Sequence, residues 1–423
     1  MPNRVPVNFQ KHCPGCFRVK DNHAVCPRCG YDEAAPRSPL FLPHGAVLAG
    51  QYRVGKVLGR PGGFGITYLG WDIYLQQKVA IKEYLPNDIA ARQPGSQNIT
   101  PHTPDDRQTF ETGKAQFLRE ARIAARLDHP NIVRLRGFFN ANGTAYLVMD
   151  FYEGMSLDSY FVQVKPLIEP VVASALMQMV LDGLDYVHHH GVIHRDIKPH
   201  NIYLAAVGKA IILDFGAARQ ASADPHQSVS VVLTEGYAPL EQYQRQGSQG
   251  PWTDIYGVAA TLYRMIVGKS PPVVLDRIHR DQLEVEDFSG IPELLKPILR
   301  KALAIKFEQR YQSAAAFKQA LSEVMGPLPT QVAANGHSPS LPLQEPAGHG
   351  QLPASIEEAV TRPLEMALPV PTLAEAAAAP PSMPAFRQDR RRAPAHPPRS
   401  LASKVLIVSA VLLAMALLLY LLR

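Results

Sequence analysis

Cysteine is scarce in this chain, and the amino terminus has no apolar stretch. Only 4 of the 423 residues are cysteine, and all of them precede residue 30. Met1 to Arg4 lead into a polar segment, which lacks the apolar core of a secretory signal peptide. Disulfide-bonded proteins belong to oxidising compartments. We therefore expect a reducing compartment for this chain.

A strong charge of one sign is also absent. The net charge of +6 is modest for this length and does not indicate a nucleic-acid partner. Much of the positive charge lies near the carboxyl end, in Arg387, Arg390, Arg391, Arg392, Arg399 and Lys404. This position favours an interaction with an anionic membrane surface.

The composition divides the chain into four segments. The cysteines lie in residues 10–31, and aromatic and aliphatic residues fill 51–325, a segment long enough for a large core. Proline and alanine dominate 326–403, a composition that cannot bury enough surface to fold. An uncharged apolar run of 18 residues then closes the chain. Its helical length of about 27 Å predicts a transmembrane helix at 404–422.

The four cysteines form two C-x-x-C pairs. Cys13 and Cys16 are separated by nine residues from Cys26 and Cys29. Each pair of thiolates can bind one side of a tetrahedral ion, and a segment of about thirty residues is too small to fold around a core alone. We predict a structural Zn²⁺ site in a zinc ribbon over 10–31. Two disulfides or a rubredoxin-like iron site are the alternatives.

Two polar motifs lie beside apolar runs in the central segment. Residues 194–201 have the sequence H-R-D-I-K-P-H-N, and residues 214–216 have the sequence D-F-G. The run 210–213 predicts a buried strand and 201–204 its hairpin partner, so rigid elements would hold both motifs. A hydroxyl attacks a phosphoryl group when a carboxylate accepts its proton and cations neutralise the phosphate. The motifs provide such groups in Asp196, Lys198, Asn201 and Asp214.

Single carboxylates are usually turn or cap residues, but the joint spacing of these motifs is typical of a catalytic site. It resembles the catalytic loop and magnesium motif of the eukaryotic-like protein Ser/Thr kinases of bacteria. The resemblance covers roughly residues 51–325 and implies an α+β domain of two lobes that uses ATP and Mg²⁺. It implies that Asp196 orients the acceptor hydroxyl, that Lys198 contacts the transferred phosphate, and that Asn201 and Asp214 bind Mg²⁺.

The same resemblance implies a nucleotide site on the amino-terminal side of the catalytic loop. A glycine-rich hairpin would cover the phosphates with Gly59, Gly62, Gly63, Phe64 and Gly65. It departs from the family's G-x-G-x-x-G because Arg60-Pro61 adds one residue between the first two glycines. Lys82 would contact the α- and β-phosphates.

A helix predicted over 115–127 would present Glu120 to Lys82, and a solvent-facing glutamate is the alternative. The connection 83–114 between these two residues is long and contains four prolines. Met149 would be the gatekeeper. The backbone of Asp150 and Tyr152 would bind adenine.

On the carboxyl side, the resemblance implies an activation segment that ends near Glu241. Ser222, Ser228 and Ser230 are candidate phosphate acceptors, and Arg195 could pair with a phosphate there. Thr234 matches a threonine that hydrogen-bonds near the catalytic residues. Glu241, Asp254 and Arg310 are implied as scaffold, with an ion pair between Glu241 and Arg310. The three histidines at 188–190 cannot share one helix face, so we expect a helix end there and no metal site.

The expected function is MgATP-dependent phosphorylation of serine or threonine on protein substrates and, between copies, on the chain itself. Arginines before the apolar run predict a single-pass inner-membrane protein with a cytoplasmic kinase domain. We expect the zinc ribbon to be independent of catalysis. A pseudokinase scaffold that assembles partners through the ribbon and anchor is one alternative. A small-molecule phosphotransferase of related fold is another.

Overall fold

The computed structural model describes residues 11–20, 23–59, 65–93, 95–215, 219–220, 233–244, 247–281, 283, 288 and 290–326. Several of the predictions made above concern residues outside these ranges: Gly62, Gly63, Phe64, Gly216, Ser222, Ser228, Ser230, the linker after residue 326 and the predicted transmembrane helix 404–422. Among the described residues, no helix is both long and apolar enough to cross a bilayer.

An antiparallel sheet of six strands forms the amino-terminal lobe. Its order is β1-β2-β3-β4-β8-β7. The strands are β1 Val47–Leu48, β2 Tyr52–Val57, β3 Gly65–Asp72, β4 Gln77–Tyr84, β7 Leu135–Ala141 and β8 Thr144–Asp150. Alternating apolar residues of β2, β3, β4 and β8 form one buried core, as their two-residue period predicts.

The long connection 83–114 is structured rather than a loop. It forms the two-stranded sheet β5 Ala90–Arg92 and β6 Ile99–Pro101, followed by the start of helix α1, Pro104–Ala124. The helix begins eleven residues before the predicted start at 115, because Thr103 and Asp106 form a capping box and Pro104 occupies the first turn. The sequence prediction missed this start because it relied on the apolar spacing of the second half alone.

Helices form most of the carboxyl-terminal lobe. They are α2 Leu157–Gln163, α3 Pro170–His189, α4 Leu240–Tyr243, α5 Pro251–Val267, α6 Val274–Arg277, α7 Lys296–Ala302 and α8 Ala314–Met325. Helices α3 and α5 are buried around most of their circumference and form the centre of the core. The predicted helix end at the three histidines is confirmed, because α3 ends at His189.

Short strands support the two motifs. Strand β11 Ile202–Ala205 pairs with β12 Lys209–Ile212 on one side and with β9 Gly154–Ser156 on the other. The predicted hairpin is thus confirmed, with Ile202 opposite Ile212. Strand β10 Val192–Ile193, which leads into the first motif, pairs with β13 Arg219–Gln220. Both motifs therefore lie at the ends of paired strands.

Candidate active site

The loop 194–201 brings the side chains of Lys198 and Asn201 into contact with Asp196. Asn201 Nδ2 donates to Asp196 Oδ2 at 2.8 Å and to the backbone oxygen of Asp196 at 2.8 Å. Lys198 Nζ lies 2.9 Å from Asp196 Oδ1 and donates to Thr234 Oγ1 at 2.9 Å. The carboxylate of Asp196 is thereby fixed between an amide and an ammonium group. The contact with Thr234 confirms the predicted place of that residue.

The backbone of this loop is anchored on a buried carboxylate. Asp254 accepts hydrogen bonds from the amides of His194 at 2.9 Å and Arg195 at 2.6 Å, and His188 Nε2 lies 2.8 Å from it. Burial alone would raise the pKa of Asp254, but the hydrogen bond and charge of His188 and the contacts of His194 hold it below the ordinary value. Asp254 is therefore an ionised anchor, and Arg195 adopts a left-handed conformation (φ 70°) above it.

The second motif packs against the first. The ring of Phe215 lies edge-on to the ring of His194 with centroids 4.9 Å apart, and His194 Nε2 lies 3.0 Å from the backbone oxygen of Leu213. The amide of Leu213 donates to the backbone oxygen of Asn201 at 2.8 Å. Asp214 itself is left-handed, with φ 53°. These contacts place Asp214 beside the catalytic loop.

Lys82 contacts Asp214 rather than Glu120. Its Nζ lies 2.6 Å from Asp214 Oδ2, while Glu120 accepts a hydrogen bond from Gln116 Nε2 at 2.8 Å. The expected pair of Lys82 with Glu120 is not among the contacts between described residues. Glu120 is nevertheless buried, with 9% of its surface exposed, so the solvent-facing alternative is wrong. The helix places Glu120 on the inner face of α1, as predicted.

Two ends of the glycine-rich hairpin are described. Gly59 is left-handed, with φ 65°. A β-carbon added at Gly65 would lie 2.3 Å from the backbone oxygen of Glu83, so only glycine allows β3 to approach β4 there. On the opposite side, the amide of Asp150 donates to Arg134 at 3.0 Å, and the backbone oxygen of Tyr152 accepts from Tyr203 at 3.0 Å.

Sequence analysis missed a buried polar network next to Lys82. The carboxylate of Glu83 accepts hydrogen bonds from Tyr68 at 2.9 Å and from Tyr146 at 2.6 Å, and it pairs with Arg92 at 2.5 Å. Glu83 is fully buried. Arg92 lies in β5, and its Nε also donates to the backbone oxygen of Leu40 at 2.9 Å. The network joins the connection 83–114 to the central sheet.

Tyr84 fixes the position of α1. Its ring packs against Phe110 and Phe117 of that helix, with centroids 5.3 and 5.5 Å away. A β-carbon at Gly113 would lie 2.1 Å from the Tyr84 hydroxyl, so glycine allows this close approach. Three consecutive residues of β4 therefore have separate tasks: Lys82 faces Asp214, Glu83 holds the connection, and Tyr84 holds the helix that carries Glu120.

The predicted scaffold pair is confirmed. Arg310 Nη1 and Nη2 lie 2.7 and 3.1 Å from the two carboxylate oxygens of Glu241, a buried bidentate pair. Thr253 donates to the same carboxylate at 3.0 Å. This arrangement ties α4, which follows the activation segment, to the start of α5 and to the segment before α8.

The four cysteines lie close enough to bind one ion. Their sulfur atoms all lie within 4.8 Å of one another. Cys13 and Cys29 are 3.7 Å apart and Cys16 and Cys26 are 3.9 Å apart, far beyond the disulfide bond length of about 2.05 Å. All four are free thiols, so the disulfide alternative is wrong.

Among Cys13, Cys26 and Cys29, the surroundings favour a thiolate at Cys26 only, because burial raises the pKa of Cys13 to about 12 and also raises that of Cys29. The amide of Gly15 donates to Cys13 Sγ at 3.2 Å. Burial alone would raise the pKa of Cys26, but hydrogen bonds from the backbone of Arg28 and Cys29 lower it to about 7. A tetrathiolate set of this kind fits Zn²⁺ and also iron.

The two lobes, with these motifs between them, define a protein kinase fold. The protein kinase domain family matches residues 52–325. This match covers more than half of the chain, which therefore belongs to the protein kinase family.

Several relatives share this domain. Serine/threonine-protein kinase pkn2 of Myxococcus xanthus is 36% identical over 241 residues, which are 55% of this chain and 26% of that protein. PknB of Mycobacterium leprae is 31% identical over 291 residues, 66% of this chain and 43% of that protein. The solved apo form of PpkA-294 is 34% identical, with a TM-score of 0.59, and the match covers 67% of this chain and 99% of that one. The chain thus spans less than half the length of these two curated relatives.

Proposed function

We propose that this chain transfers the γ-phosphoryl group of MgATP to serine or threonine hydroxyl groups of proteins. The observation that carries the proposal is the contact of Asp196 with Lys198 and Asn201, together with Asp214, which lies 2.6 Å from Lys82 and follows Leu213, a residue hydrogen-bonded to Asn201. These residues come from two lobes, and no local structural need brings them together. A scaffold without activity would not require this arrangement.

Each side chain has a defined task in this proposal. Asp196, held by Asn201, accepts the hydrogen bond of the acceptor hydroxyl and orients its oxygen toward the phosphate. Lys198, held between Asp196 and Thr234, supplies positive charge on the acceptor side of the phosphate. Asn201 and Asp214 would hold Mg²⁺, which neutralises the charge of the phosphate oxygens. Lys82 supplies a second cation beside Asp214.

The test compares Asp196→Asn with Asp158→Asn, which changes an exposed carboxylate of α2. We expect the wild type and Asp158→Asn to transfer labelled phosphate from ATP to serine or threonine of a generic protein substrate. Asp196→Asn should lose about 100-fold or more of the rate, because a positioned base contributes at least that much. Nucleotide binding without any transfer by the wild type would instead support the scaffold alternative.

The cysteine cluster is proposed to hold a structural Zn²⁺. Support comes from the four free sulfur atoms within 4.8 Å of one another and from the backbone donor at Cys13. Metal analysis of protein prepared without added metal should find one zinc per chain. Mostly iron, or no metal, would contradict this assignment.

We further propose that residues 404–422 anchor the chain in the inner membrane with the kinase domain on the cytoplasmic side. The proposal is supported by the apolar, uncharged sequence 405–422 and by the six basic residues that precede it, the last of which is Lys404, since positive charge favours the cytoplasmic face. Deletion of 401–423 should move the protein from the membrane fraction to the soluble fraction. An unchanged distribution would contradict it.

A further inference from the structure

The first cysteine loop is bound to strand β2, which leads into the glycine-rich hairpin. The amide of Lys56 donates to the backbone oxygen of Pro14 at 2.9 Å. Pro14 lies between Cys13 and Cys16, so this oxygen belongs to the loop that would hold the metal. At the same point the β2–β3 pairing shifts register, between Val54 and Val57. The amide of Lys56, in the irregular part of β2, therefore has its hydrogen-bond acceptor in the ribbon rather than in β3.

Gly55 allows the ribbon to approach β2 this closely. A β-carbon at Gly55 would lie 2.4 Å from Pro14 O and 2.9 Å from Phe17 Cζ of the ribbon, and 3.0 Å from Leu69 O of β3. Phe17 has only 7% of its surface exposed, and its ring centroid lies 5.7 Å from that of Trp71 on β3. The first cysteine loop thus packs against both β2, at Gly55, and β3, at Trp71. We name this contact, formed by Pro14, Phe17, Gly55, Lys56 and Trp71, the ribbon interface.

The ribbon interface lies a short distance from the phosphate end of the hairpin. Lys56 is three residues from Gly59, about 10 Å along an extended strand. The amide of Leu58 donates to the backbone oxygen of Thr67 at 2.7 Å and closes the strand pair just before the hairpin. Thr67 is also the register partner of Lys82 on β4. The position of β2 at Lys56 therefore sets where the hairpin begins relative to Lys82.

We infer that the ribbon interface fixes strand β2 up to Gly59, where the glycine-rich hairpin begins, so that metal held by the four cysteines strengthens nucleotide binding. This inference rests on the proposed MgATP function. Such small sites fold only with their metal, so metal loss would remove the Pro14 oxygen from Lys56 and Phe17 from Trp71. Because coupling between two binding sites is reciprocal, nucleotide must strengthen metal binding by the same factor. This inference is an alternative to the expectation that the ribbon is independent of catalysis.

The first test uses the full-length, zinc-loaded chain in detergent and the dissociation constant of a non-hydrolysable ATP analogue with Mg²⁺. Gly55→Ala should weaken this binding about five- to tenfold, within the range usual for coupled sites. The matched control is Gly137→Ala in β7 of the same sheet, where an added β-carbon has no neighbour within 4 Å. It should leave the constant unchanged. Because the β-carbon added at Gly55 also approaches Leu69 O of β3, the inference requires in addition that Phe17→Ala, which alters only the ribbon side, weakens binding in the same direction.

The second test measures reciprocity. Zinc affinity of the wild type, determined by competition with a chelator, should rise with the saturating ATP analogue, and this rise should shrink in Phe17→Ala. Equal zinc affinity with and without nucleotide, together with unchanged nucleotide binding in both variants, would overturn the inference. Failure of the proposed function has another signature, since the zinc-loaded wild type would then transfer no phosphate to a protein substrate, whether or not nucleotide and zinc binding are coupled.

Discussion

At the scale of single residues, the proposed chemistry depends on charges that meet across the two lobes. Lys82 and Asp214 are 132 positions apart and lie 2.6 Å from each other. Each faces the place where phosphate and magnesium would bind, and neither is needed to fill the core. Removing either charge should therefore affect phosphate transfer much more than stability.

We expect Lys82→Met or Asp214→Asn to reduce phosphate transfer by about 100-fold or more, because charge stabilisation of the phosphate is the main contribution to this reaction. Lys78→Met is the matched control for the lysine, since Lys78 lies on the same strand but pairs with the exposed Glu153. Initial rates and thermal unfolding of each variant provide the measurement. More than a few per cent of wild-type activity in the first two variants would favour the scaffold alternative.

His44 makes stability depend on pH. Burial and the charge of Arg37 lower the pKa of His44 to about 4, and Tyr31 lies 2.8 Å from its Nε2. Since an unfolded histidine has a pKa of about 6.5, the unfolded chain binds more protons between these values. The stabilising contribution of neutral His44 is thus complete above about pH 6.5 and is lost as the pH falls to about 4.

Replacing His44 with Gln should accordingly flatten the dependence of the unfolding midpoint on pH between 6.5 and 4. His279→Gln, at an exposed histidine of the carboxyl-terminal lobe, is the control and should keep the wild-type slope. Chemical unfolding at a series of pH values measures both. Parallel slopes for wild type and His44→Gln would show that His44 does not titrate as described.

At the scale of elements, the connection 83–114 is held by the Glu83 network rather than by apolar packing alone. The fully buried carboxylate of Glu83 on β4 accepts hydrogen bonds from Tyr68 on β3 and Tyr146 on β8. It also forms an ion pair with Arg92 on β5, so one carboxylate links four strands. A buried charge with a missing partner is costly. The network should therefore determine whether β5, β6 and the start of α1 stay on the sheet.

Tyr68→Phe should lower the free energy of unfolding by about 1.5 to 3 kcal/mol, the usual value of a hydrogen bond to a charged group. Tyr74→Phe, at an exposed tyrosine between β3 and β4, should change it by less than about 0.5 kcal/mol. Urea unfolding of both variants tests this difference. Equal stabilities would mean that Glu83 finds another donor.

At the scale of the whole molecule, the proposed anchor would raise the encounter rate between copies. The linker 326–403 has 78 residues, which gives a root-mean-square reach of about 50 Å if flexible. Copies tethered to one membrane then meet at a raised effective concentration. We expect phosphorylation of Ser228 or Ser230 to occur between such copies, with Arg195 as the expected partner of the added phosphate.

Deletion of 401–423 should slow autophosphorylation in dilute lysate and make its rate depend on concentration. The turnover of enzyme that is already phosphorylated should stay the same, which separates tethering from catalysis. Time courses at several protein concentrations test both statements. Equal, concentration-independent rates with and without the anchor would refute the tethering proposal.

The sequence by itself predicted the elements and residues whose signals are local. The β11–β12 hairpin follows from its apolar runs, and the Glu241 pair with Arg310 follows from the family resemblance. The start of α1 also has a local sequence signal, the capping box of Thr103 and Asp106. The predicted boundary at residue 115 did not take this signal into account. Four cysteines in two C-x-x-C pairs predicted a common site, and the sulfur atoms do lie together.

Only the tertiary structure decided which distant residues meet. Lys82 forms an ion pair with Asp214 rather than Glu120, and Glu83 accepts hydrogen bonds from residues of other strands. The amide of Lys56 donates a hydrogen bond to the backbone oxygen of Pro14. None of these contacts has a periodic or motif signal, because each depends on how close two separately formed elements approach. At Gly55 that approach is set by the absence of a single β-carbon. The sequence shows the glycine, but only packing shows that the cysteine loop occupies the space beside it.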